Sequence, residues 1–437
     1  MYEHMTTELL DFLQKSPTCY HVIANLRTVL MKAGYTELSE GAHWSLAEGG
    51  KYFVARNESS LIAFRVPKKD FIGYQIAASH SDSPSFKIKE NPEMGVENAY
   101  VRLNVEKYGG MLCAPWFDRP LSVAGKLILR KGNQFVSRLV NVDRDFVMIP
   151  SLAIHMDRNA NSGHAYNPQK DMLPVLGDFS AKGTFMDFIA ESAEVDKSAI
   201  VGSDLFLYSR TPGTIWGAHR EFLSAGHLDD LECGYADFRG FLDAKENPNS
   251  VPVFTIFDNE EVGSGTKQGA DSTFLSDTLE RIGIACGRTA EQNRTAIASS
   301  FMISADNAHA MHPNYPDRAD PVNRPRMNGG IVIKYNANQK YTTDSVSAAI
   351  FKAVCEKADV PWQEFLNRSD MAGGSTLGNI SNAHVSLNTV DIGLAQLAMH
   401  SPYETAGSQD PAYLAQAMRT FFSMALREEG HGSYALC

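Results

Sequence analysis

Hydrophobic and polar positions follow different spacings along the chain, and the changes in spacing divide it into three stretches. Apolar residues recur at helical spacing over residues 6–33. Short apolar runs typical of strands follow at Tyr52–Ala55, Leu61–Val66 and Gly73–Ala78. The pattern changes near residues 91–95, and several strand-like runs then lie between Tyr100 and Tyr208. This middle stretch is therefore predicted to be rich in β-structure.

Helical and strand-like patterns alternate after Gly226. The predicted helices are Leu228–Ala244, Phe274–Gly283, Asp344–Lys357 and Pro411–Leu426. The predicted strands between them are Val253–Phe257, Ala298–Ile303, Ile331–Tyr335 and Val385–Ile392. Such alternation favours an α/β sheet with helices on both faces. We predict a discontinuous α/β domain, residues 1–93 and 219–437, which a β-rich domain at residues 94–218 interrupts.

Composition narrows the class of protein. A chain of 437 residues is expected to form two domains, and its hydrophobic share of 43% is ordinary for a soluble globular protein. The formal net charge of −11 argues against a nucleic-acid partner, which would need a basic face. No apolar stretch approaches the roughly 20 residues that would span a membrane. The six cysteines form no CxxC pair and no signal peptide is visible, so we expect a cytoplasmic protein.

Histidine and carboxylate residues stand next to several predicted strand ends. His80 and Asp82 follow one apolar run, and the pair Glu260-Glu261 follows another. One carboxylate of such a pair can hold a metal ion while its neighbour handles the proton of a water molecule. Ligands in an open α/β sheet bind at the carboxyl ends of its strands. The candidate metal ligands near these ends are His80, Asp229, Glu261, Asp306 and His400.

Each candidate also has a plain structural interpretation. A single histidine after a strand is often held by structural hydrogen bonds. The pair Asp229-Asp230 is consistent with acidic residues that complement the dipole at a helix N-terminus. A Glu-Glu pair is commonly a solvated helix start. The ordered set of five ligands beside predicted strand ends favours a metal-dependent hydrolase over these separate explanations.

Several longer segments resemble those of a known family. The matching segments are HSDSP at 80–84, YGGMLCAPWFDRPLSVAGK at 108–126, LDDL at 228–231, FDNEEVGS at 257–264, SADNAHAMHPNY at 304–315 and QLAMHS at 396–401. They resemble the aspartyl aminopeptidases, a family of dinuclear zinc exopeptidases, and the resemblance extends over essentially the whole chain. Ser81 departs from the threonine that is common in the family, and no metal ligand is replaced. The resemblance implies an α/β/α metallopeptidase domain with a mixed central sheet.

The resemblance implies a role for each of the five ligands. Asp229 would bridge two metal ions. His80 and Asp306 would complete the coordination of one ion. Glu261 and His400 would complete that of the other. The implied cofactors are two Zn²⁺ ions per subunit, with Co²⁺ or Mn²⁺ as alternatives in one site.

Catalytic and substrate-binding positions follow from the same resemblance. Glu260 would be the general base, and Asp82 would orient a ligand beside it. The substrate-binding positions would be Lys334, His309, His155, Gly374 and Thr376. Lys334 would meet the acidic side chain of the substrate, and His155 would reach the active site of a neighbouring subunit. A strand-end lysine, a structural histidine and a plain Gly-rich turn remain alternative explanations for Lys334, His309 and residues 373–376.

The activity that the resemblance implies is removal of an N-terminal Asp or Glu from short peptides. The β-rich domain would pair two subunits, and the dimers would assemble into a dodecamer. One alternative is a related dinuclear zinc aminopeptidase or deacylase of non-acidic specificity. Another is a self-assembling scaffold with a vestigial site, which would face no chemical demand to keep five ligands and Glu260 together.

Overall fold

The computed structural model describes residues 2–437. Its α-helices are α1 (Tyr2–Gln14), α2 (Cys19–Lys32), α3 (Pro168–Asp171), α4 (Phe185–Ala193), α5 (Leu228–Asp243), α6 (Phe274–Ala285), α7 (Ala290–Ala298), α8 (Ser345–Ala358), α9 (Leu377–Ser381) and α10 (Asp410–Phe421). Its strands are β1 (Thr36–Leu38), β2 (Gly50–Arg56), β3 (Ser60–Val66), β4 (Gly73–His80), β5 (Ser85–Val96), β6 (Tyr100–Tyr108), β7 (Leu121–Lys131), β8 (Gln134–Asn141), β9 (Val175–Asp178), β10 (Ile200–Ser209), β11 (Thr214–Trp216), β12 (Phe222–Ala225), β13 (Ser250–Phe257), β14 (Phe301–Ala305), β15 (Ala308–His309), β16 (Ile331–Lys334), β17 (Trp362–Phe365), β18 (Asn388–Gly393), β19 (Ala395–Leu397), β20 (Glu404–Gly407), β21 (Leu426–Gly430) and β22 (Ser433–Leu436).

The largest sheet has nine strands in the order β1-β2-β3-β13-β4-β14-β18-β16-β17. Its centre is parallel, because β4 pairs in parallel with both β13 and β14, and β14 pairs in parallel with β18. Strands β3 and β16 run antiparallel to their neighbours β13 and β18. The central strands β4 and β13 are buried along their whole length, as expected for parallel strands covered on both faces. The predicted α/β class and the mixed central sheet are therefore confirmed.

Hydrophobic cores lie on both faces of this sheet. Side chains alternate between the faces along a strand, so Ala77 packs in one core while its neighbours Ile76 and Ala78 pack in the other. Helices α1, α2, α5, α8 and α10 contribute apolar residues to the first core, and α6 contributes to the second. This layering holds the central strand ends in fixed positions. Within residues 2–437, no helix has the length and apolar character that crossing a membrane requires.

A second sheet has six antiparallel strands in the order β8-β7-β10-β5-β6-β9. It has its own hydrophobic core, in which Trp116 is fully buried. Strand β5 crosses the proposed domain boundary after residue 93, because the whole of β5 belongs to this sheet. The other proposed boundary, before residue 219, falls between the paired strands β11 and β12. The division into residues 1–93 with 219–437 and residues 94–218 stays a proposal.

A smaller sheet has five strands in the order β11-β12-β20-β19-β15. It is relevant to function because β15 follows Asp306 closely and the turn between β19 and β20 contains His400. Strands β12 and β20 pair antiparallel from Phe222↔Gly407 to Ala225↔Glu404. The sheet therefore connects the segment before Asp229 to the segment after His400.

Several element boundaries differ from the sequence predictions. The helical stretch at residues 6–33 is two helices separated near Pro17, whose ring is incompatible with a helix interior. Ala298, predicted as the start of a strand, instead ends helix α7, which a capping box at Thr289 initiates. Only Ala296 of that helix is buried, so hydrophobic periodicity gave no sign of it. The last predicted helix ends at Phe421, and Leu426 instead begins strand β21.

Candidate active site

The candidate metal ligands lie close to the ends of neighbouring strands. Strands β13 and β4 are paired up to Phe257↔His80, and β14 is the next strand beyond β4. His80 ends β4, and Asp306 directly follows β14. Glu261 lies in a short 3₁₀ turn that follows β13. Parallel pairing of the three strands thus delivers these side chains to one edge of the sheet.

The five candidate ligands form two groups that share one carboxylate. On one side, Nε2 of His80 lies 3.3 Å from Oδ1 of Asp229 and 3.9 Å from Oδ1 of Asp306. On the other side, Nε2 of His400 lies 3.4 Å from Oδ2 of Asp229 and 3.5 Å from Oε2 of Glu261. The two oxygens of Asp229 therefore face different histidines. Asp229 therefore contributes one oxygen to each group.

The chemistry of this donor set fits divalent cations. Oδ1 of Asp229 and Oε1 of Glu261 are buried without a hydrogen-bond partner among the described residues. Burial and the charge of Asp229 raise the pKa of the Glu261 carboxyl. Unpaired buried carboxylates are energetically unfavourable, and a metal ion is a usual way to compensate them. Imidazole nitrogens with carboxylate oxygens are a typical zinc donor set.

The hydrogen bonding of His80 suits a metal ligand. Its Nδ1 lies 3.0 Å from the backbone oxygen of Asp82. A carbonyl oxygen can only accept, so Nδ1 carries the hydrogen and donates it to Asp82. In the neutral ring, Nε2 then has a free lone pair directed towards Asp229. This is the tautomer that a metal-binding histidine with an outer hydrogen bond adopts.

Three other buried carboxylates hold the backbone of the ligand segments. Asp82 accepts hydrogen bonds from the backbone N–H groups of Glu260 (3.1 Å) and Glu261 (3.2 Å). Glu404 accepts from the backbone N–H groups of Asp229 (3.0 Å) and His400 (2.7 Å). Asp230 accepts from the backbone N–H of His80 at 3.2 Å. These backbone clamps fix the direction in which each side chain leaves its loop.

Sequence reasoning missed two of these three clamps. The sequence pattern indicates Asp230 only as a charge at a helix start, and it indicates no role for Glu404. Glu404 is separated from Asp229 by 175 residues in the chain. The pairing of β12 with β20 brings them together. A single sequence contains no local signal for such a contact.

A pocket of about 160 Å³ adjoins the cluster. Glu260 and every candidate ligand except His80 line it, together with the candidate substrate-binding residues Lys334, His309, Gly374 and Thr376. Tyr341 and Phe365, which were not predicted, also line it. His155 lies on an exposed turn in the stretch before β9 and is not among the residues that line the pocket. The structure thus brings four of the five candidate substrate positions together within one chain.

The charge state of the pocket is set by Lys334 and its neighbours. Lys334 is only 2% exposed, and its Nζ donates to the backbone oxygens of Asp306 (2.7 Å) and Asn307 (3.3 Å). Burial opposes the charge, but the Asp306 carboxylate raises the pKa of Lys334, so the ammonium is retained. Burial and the charge of Lys334 lower the pKa of His309, which favours a neutral imidazole. The pocket therefore contains a buried cation beside a neutral hydrogen-bonding ring.

Glu260, next to Glu261, belongs to neither of the two groups that share Asp229, although it lies within metal-ligand reach of His80 and Glu261. It lies at the junction of the cluster and the pocket. Burial, with the Asp306 carboxylate as an additional cause, raises the pKa of Glu260 to about 8. A carboxyl group with a pKa close to neutral pH can both accept and release a proton there, as an acid-base group must.

The fold and this cluster define a metal-dependent hydrolase with an α/β core. Residues 12–422 match the family model described as "Aminopeptidase I zinc metalloprotease (M18)". The chain belongs to this family, and it is therefore a zinc-dependent aminopeptidase. The family match confirms the zinc aminopeptidase class that the sequence motifs indicated.

Relatives match the chain over nearly its full length. The "Probable M18 family aminopeptidase 2" of Clostridium acetobutylicum is 45% identical over 426 residues, covering 95% of this chain and 98% of the relative. The protein of the same name from Pseudomonas aeruginosa PAO1 is 40% identical over 435 residues, covering 97% and 99%.

Solved structures show the same fold. The structure described as the Ape4 and Nbr1 complex aligns with a TM-score of 0.93 and 36% identity, over 97% of this chain and 86% of that chain. The structure of the S. cerevisiae mApe1 dodecamer aligns with a TM-score of 0.84 and 29% identity, over 96% of this chain and 97% of that chain. The dodecamer is a property of the yeast protein.

Proposed function

We propose that the enzyme removes an N-terminal Asp or Glu from short peptides at a centre of two zinc ions, with Glu260 as the general base. The observation that carries this proposal is the position of Lys334. Its ammonium is buried in a pocket that adjoins the metal-ligand cluster, beside Asp306. A cation in this position can compensate the charge of an acidic side chain in the residue to be released.

The five candidate ligands would hold the ions in two groups that share Asp229. His80 and Asp306 would hold one ion, and Glu261 and His400 the other. When bound, zinc supplies Lewis acidity, which polarises a peptide carbonyl and makes water more acidic. The division is supported by the two Asp229 oxygens, which face His80 and His400 separately.

Glu260 would move the proton during hydrolysis. Its carboxylate would take a proton from the attacking water and later give it to the departing amine. Its raised pKa suits the second of these tasks, because a carboxyl group with pKa about 8 keeps its proton until a stronger base is present. Divalent cations nearby would lower this pKa and so favour the first task. Asp82 would keep Glu260 in place through the backbone N–H bond at 3.1 Å.

The size and hydrogen bonding of the pocket favour a small anionic side chain. A volume of about 160 Å³ is below the range of sites for larger organic ligands and suits a single side chain. Two N–H donors of Lys334 are used by backbone oxygens, which leaves one for a ligand carboxylate. Thr376, the backbone near Gly374 and His309 line the same pocket and would contact the substrate there.

Assembly is part of the same proposal. We propose that subunits pair through the β-rich region and form a dodecamer, like the S. cerevisiae mApe1 dodecamer. An exposed segment that contains His155 also exposes Leu152, Ile154 and Met156. Clustered exposed apolar residues are typical of interaction surfaces. His155 would act in the pocket of a neighbouring subunit, and the assembly would work in the cytoplasm.

The test is release of the N-terminal residue from matched peptides that begin with Asp, Glu, Leu, Ala or Lys. Each is assayed after chelation and again after addition of Zn²⁺, Mn²⁺ or Co²⁺. We expect metal-restored cleavage of only the Asp and Glu peptides. Restored cleavage of neutral peptides would instead support an aminopeptidase of non-acidic specificity. Cleavage of none would favour a deacylase or a scaffold with a vestigial site.

A further inference from the structure

We propose that Tyr108 is a positioning residue of the metal centre, acting through Asp82 on the segment that carries Glu260 and Glu261. Tyr108 is the last residue of β6, a strand of the six-stranded sheet rather than of the α/β core. The inference rests on the proposed roles of Glu260 as base and Glu261 as ligand. It gives the β-rich region a task inside its own subunit, in addition to assembly.

A short chain of hydrogen bonds leads from Tyr108 to both glutamates. The Tyr108 hydroxyl donates to Oδ2 of Asp82 at 2.6 Å. The same carboxylate accepts the backbone N–H of Glu260 on Oδ1 and that of Glu261 on Oδ2. Asp82 is 4% exposed, so water supplies little of its hydrogen bonding. The Tyr108 hydroxyl is therefore one of three donors that fix the orientation of this carboxylate.

The direction of the Tyr108 bond is determined by Asn259. Oδ1 of Asn259 accepts from Thr266 (2.7 Å) and from Gln268 (2.9 Å), which fixes the orientation of its amide group. Its Nδ2 therefore points to Tyr108 and donates to the hydroxyl oxygen at 2.8 Å. Since that oxygen accepts from Asn259, the hydroxyl hydrogen is directed to Asp82. Such a bond to a charged acceptor is stronger than one between neutral groups.

The surroundings of Tyr108 hold it rigidly against the ligands. Its ring packs edge-on against Phe206 with centroids 5.6 Å apart. The next residue is Gly109, with φ of 77°, and a Cβ there would lie only 3.0 Å from Cβ of Glu261. Further along, the backbone N–H of Leu112 donates to the backbone oxygen of His400 at 3.1 Å. The segment 108–112 thus lies directly on two of the candidate ligand loops.

The first experiment compares Tyr108→Phe with Tyr208→Phe. Tyr208 is a matched control, because it is a buried tyrosine of the same sheet whose hydroxyl donates to Asn141 at 2.8 Å. Zinc affinity of chelator-treated protein is measured by competition with a chromophoric chelator, together with kcat, KM and the melting temperature. We expect Tyr108→Phe to weaken zinc affinity about 10–100-fold and to lower kcat more than KM changes. Tyr208→Phe should lower only the melting temperature.

A second experiment tests whether Tyr108 acts through Asp82. If it does, the double variant Tyr108→Phe/Asp82→Asn should bind zinc no more weakly than Asp82→Asn alone. Full additivity would overturn the route through Asp82. Unchanged zinc affinity and kcat in Tyr108→Phe, or equal losses in both tyrosine variants, would overturn the positioning role. Absence of zinc binding or peptide cleavage in the wild-type enzyme would contradict the proposed function instead, so the two failures are distinguishable.

Discussion

The candidate metal-ligand cluster and the pocket that adjoins it are built from different kinds of structure. The candidate ligands stand on or next to regular elements, and backbone clamps from Asp82, Asp230 and Glu404 hold four of the five. Of the four candidate substrate-binding residues that line the pocket, Lys334 and His309 lie in strands, whereas Gly374 and Thr376 lie in the irregular stretch before α9. A Cβ at Gly374 would meet no atom within 4 Å. Buried hydrogen bonds thus hold the backbone of the ligand segments, whereas the pocket is open at Gly374.

The ligand cluster and the pocket wall meet two different requirements of an enzyme. Metal ligands must converge within a few tenths of an ångström, which requires rigid strands and buried hydrogen bonds. A pocket wall must admit and release substrates, and loops allow such motion. Substitutions in the metal-ligand cluster should therefore alter turnover and metal affinity. Substitutions in the pocket wall should alter the choice of substrate.

The largest effect is expected for Glu260→Gln. The amide keeps the shape of the side chain but cannot take a proton, so turnover should fall by about 10²–10⁴-fold. Metal content, measured by atomic absorption, should stay at the wild-type level, because Glu260 belongs to neither ligand group in the proposed arrangement. Glu280→Gln, on the exposed face of α6, is the matched control. Near-normal turnover of Glu260→Gln would remove Glu260 from the mechanism.

The next largest effect is expected for Glu404→Gln. The two Glu404 oxygens accept the backbone N–H groups of Asp229 and His400, and glutamine has only one oxygen to offer. Either the Asp229 segment or the His400 segment then loses its hydrogen-bond acceptor. Zinc affinity should therefore weaken by about 10–100-fold in a chelator competition assay. Wild-type affinity in this variant would show that the ligand loops hold their positions without the clamp.

Asp410 provides the control for that experiment. Its two oxygens accept the backbone N–H groups of Asn328 (2.6 Å) and Gly330 (3.0 Å), but it belongs to no metal-ligand group. Asp410→Asn should therefore lower the free energy of unfolding by about 1–3 kcal/mol and leave zinc affinity unchanged. Equal losses of zinc affinity in the Asp410 and Glu404 variants would contradict a specific role for Glu404. They would show that removing any buried carboxylate that accepts backbone N–H groups weakens zinc binding to the same degree.

The difference in stability between the wild type and Asp410→Asn is expected to depend on pH. Burial raises the pKa of Asp410 from its ordinary value of 3.8 to about 7, against the two backbone hydrogen bonds that lower it. The folded state then binds this proton more tightly than the unfolded state, so the stability due to Asp410 falls as pH rises from about 4 to 7. In denaturant titrations, wild type should exceed Asp410→Asn in stability by more at pH 5 than at pH 8. A difference that grows with pH would contradict the raised pKa.

The smallest effect is expected for Lys334→Met, and it concerns selectivity. Methionine fills a similar volume without the charge, so kcat/KM for Asp and Glu peptides should fall roughly tenfold more than for neutral peptides. Lys352→Met is a control outside the pocket, because Lys352 pairs with Glu364 at the surface. Equal losses on acidic and neutral peptides would mean that Lys334 does not contact the substrate side chain.

Some residues of this site could be predicted from the sequence and others could not. The positions of His80 and Glu261 could be predicted because each follows a long apolar run, and the ends of neighbouring strands meet. Tyr108 and Glu404 could not, because their partners are distant in sequence and depend on strand pairing. The roles of the predicted ligands and of Glu260 stay predictions, although the geometry brings these residues together. Helix α7 was missed because its exposed surface is polar and its buried face is a single alanine.

The buried, unpartnered carboxylate oxygens of Asp229 and Glu261 have a consequence for the life of the enzyme in a cell. A chain that folds with such groups gains stability from any cation that binds only the folded form. Zinc supply would then influence how many copies survive proteolysis as well as how many are active. Under zinc starvation the number of enzyme molecules and the activity of each would decline together.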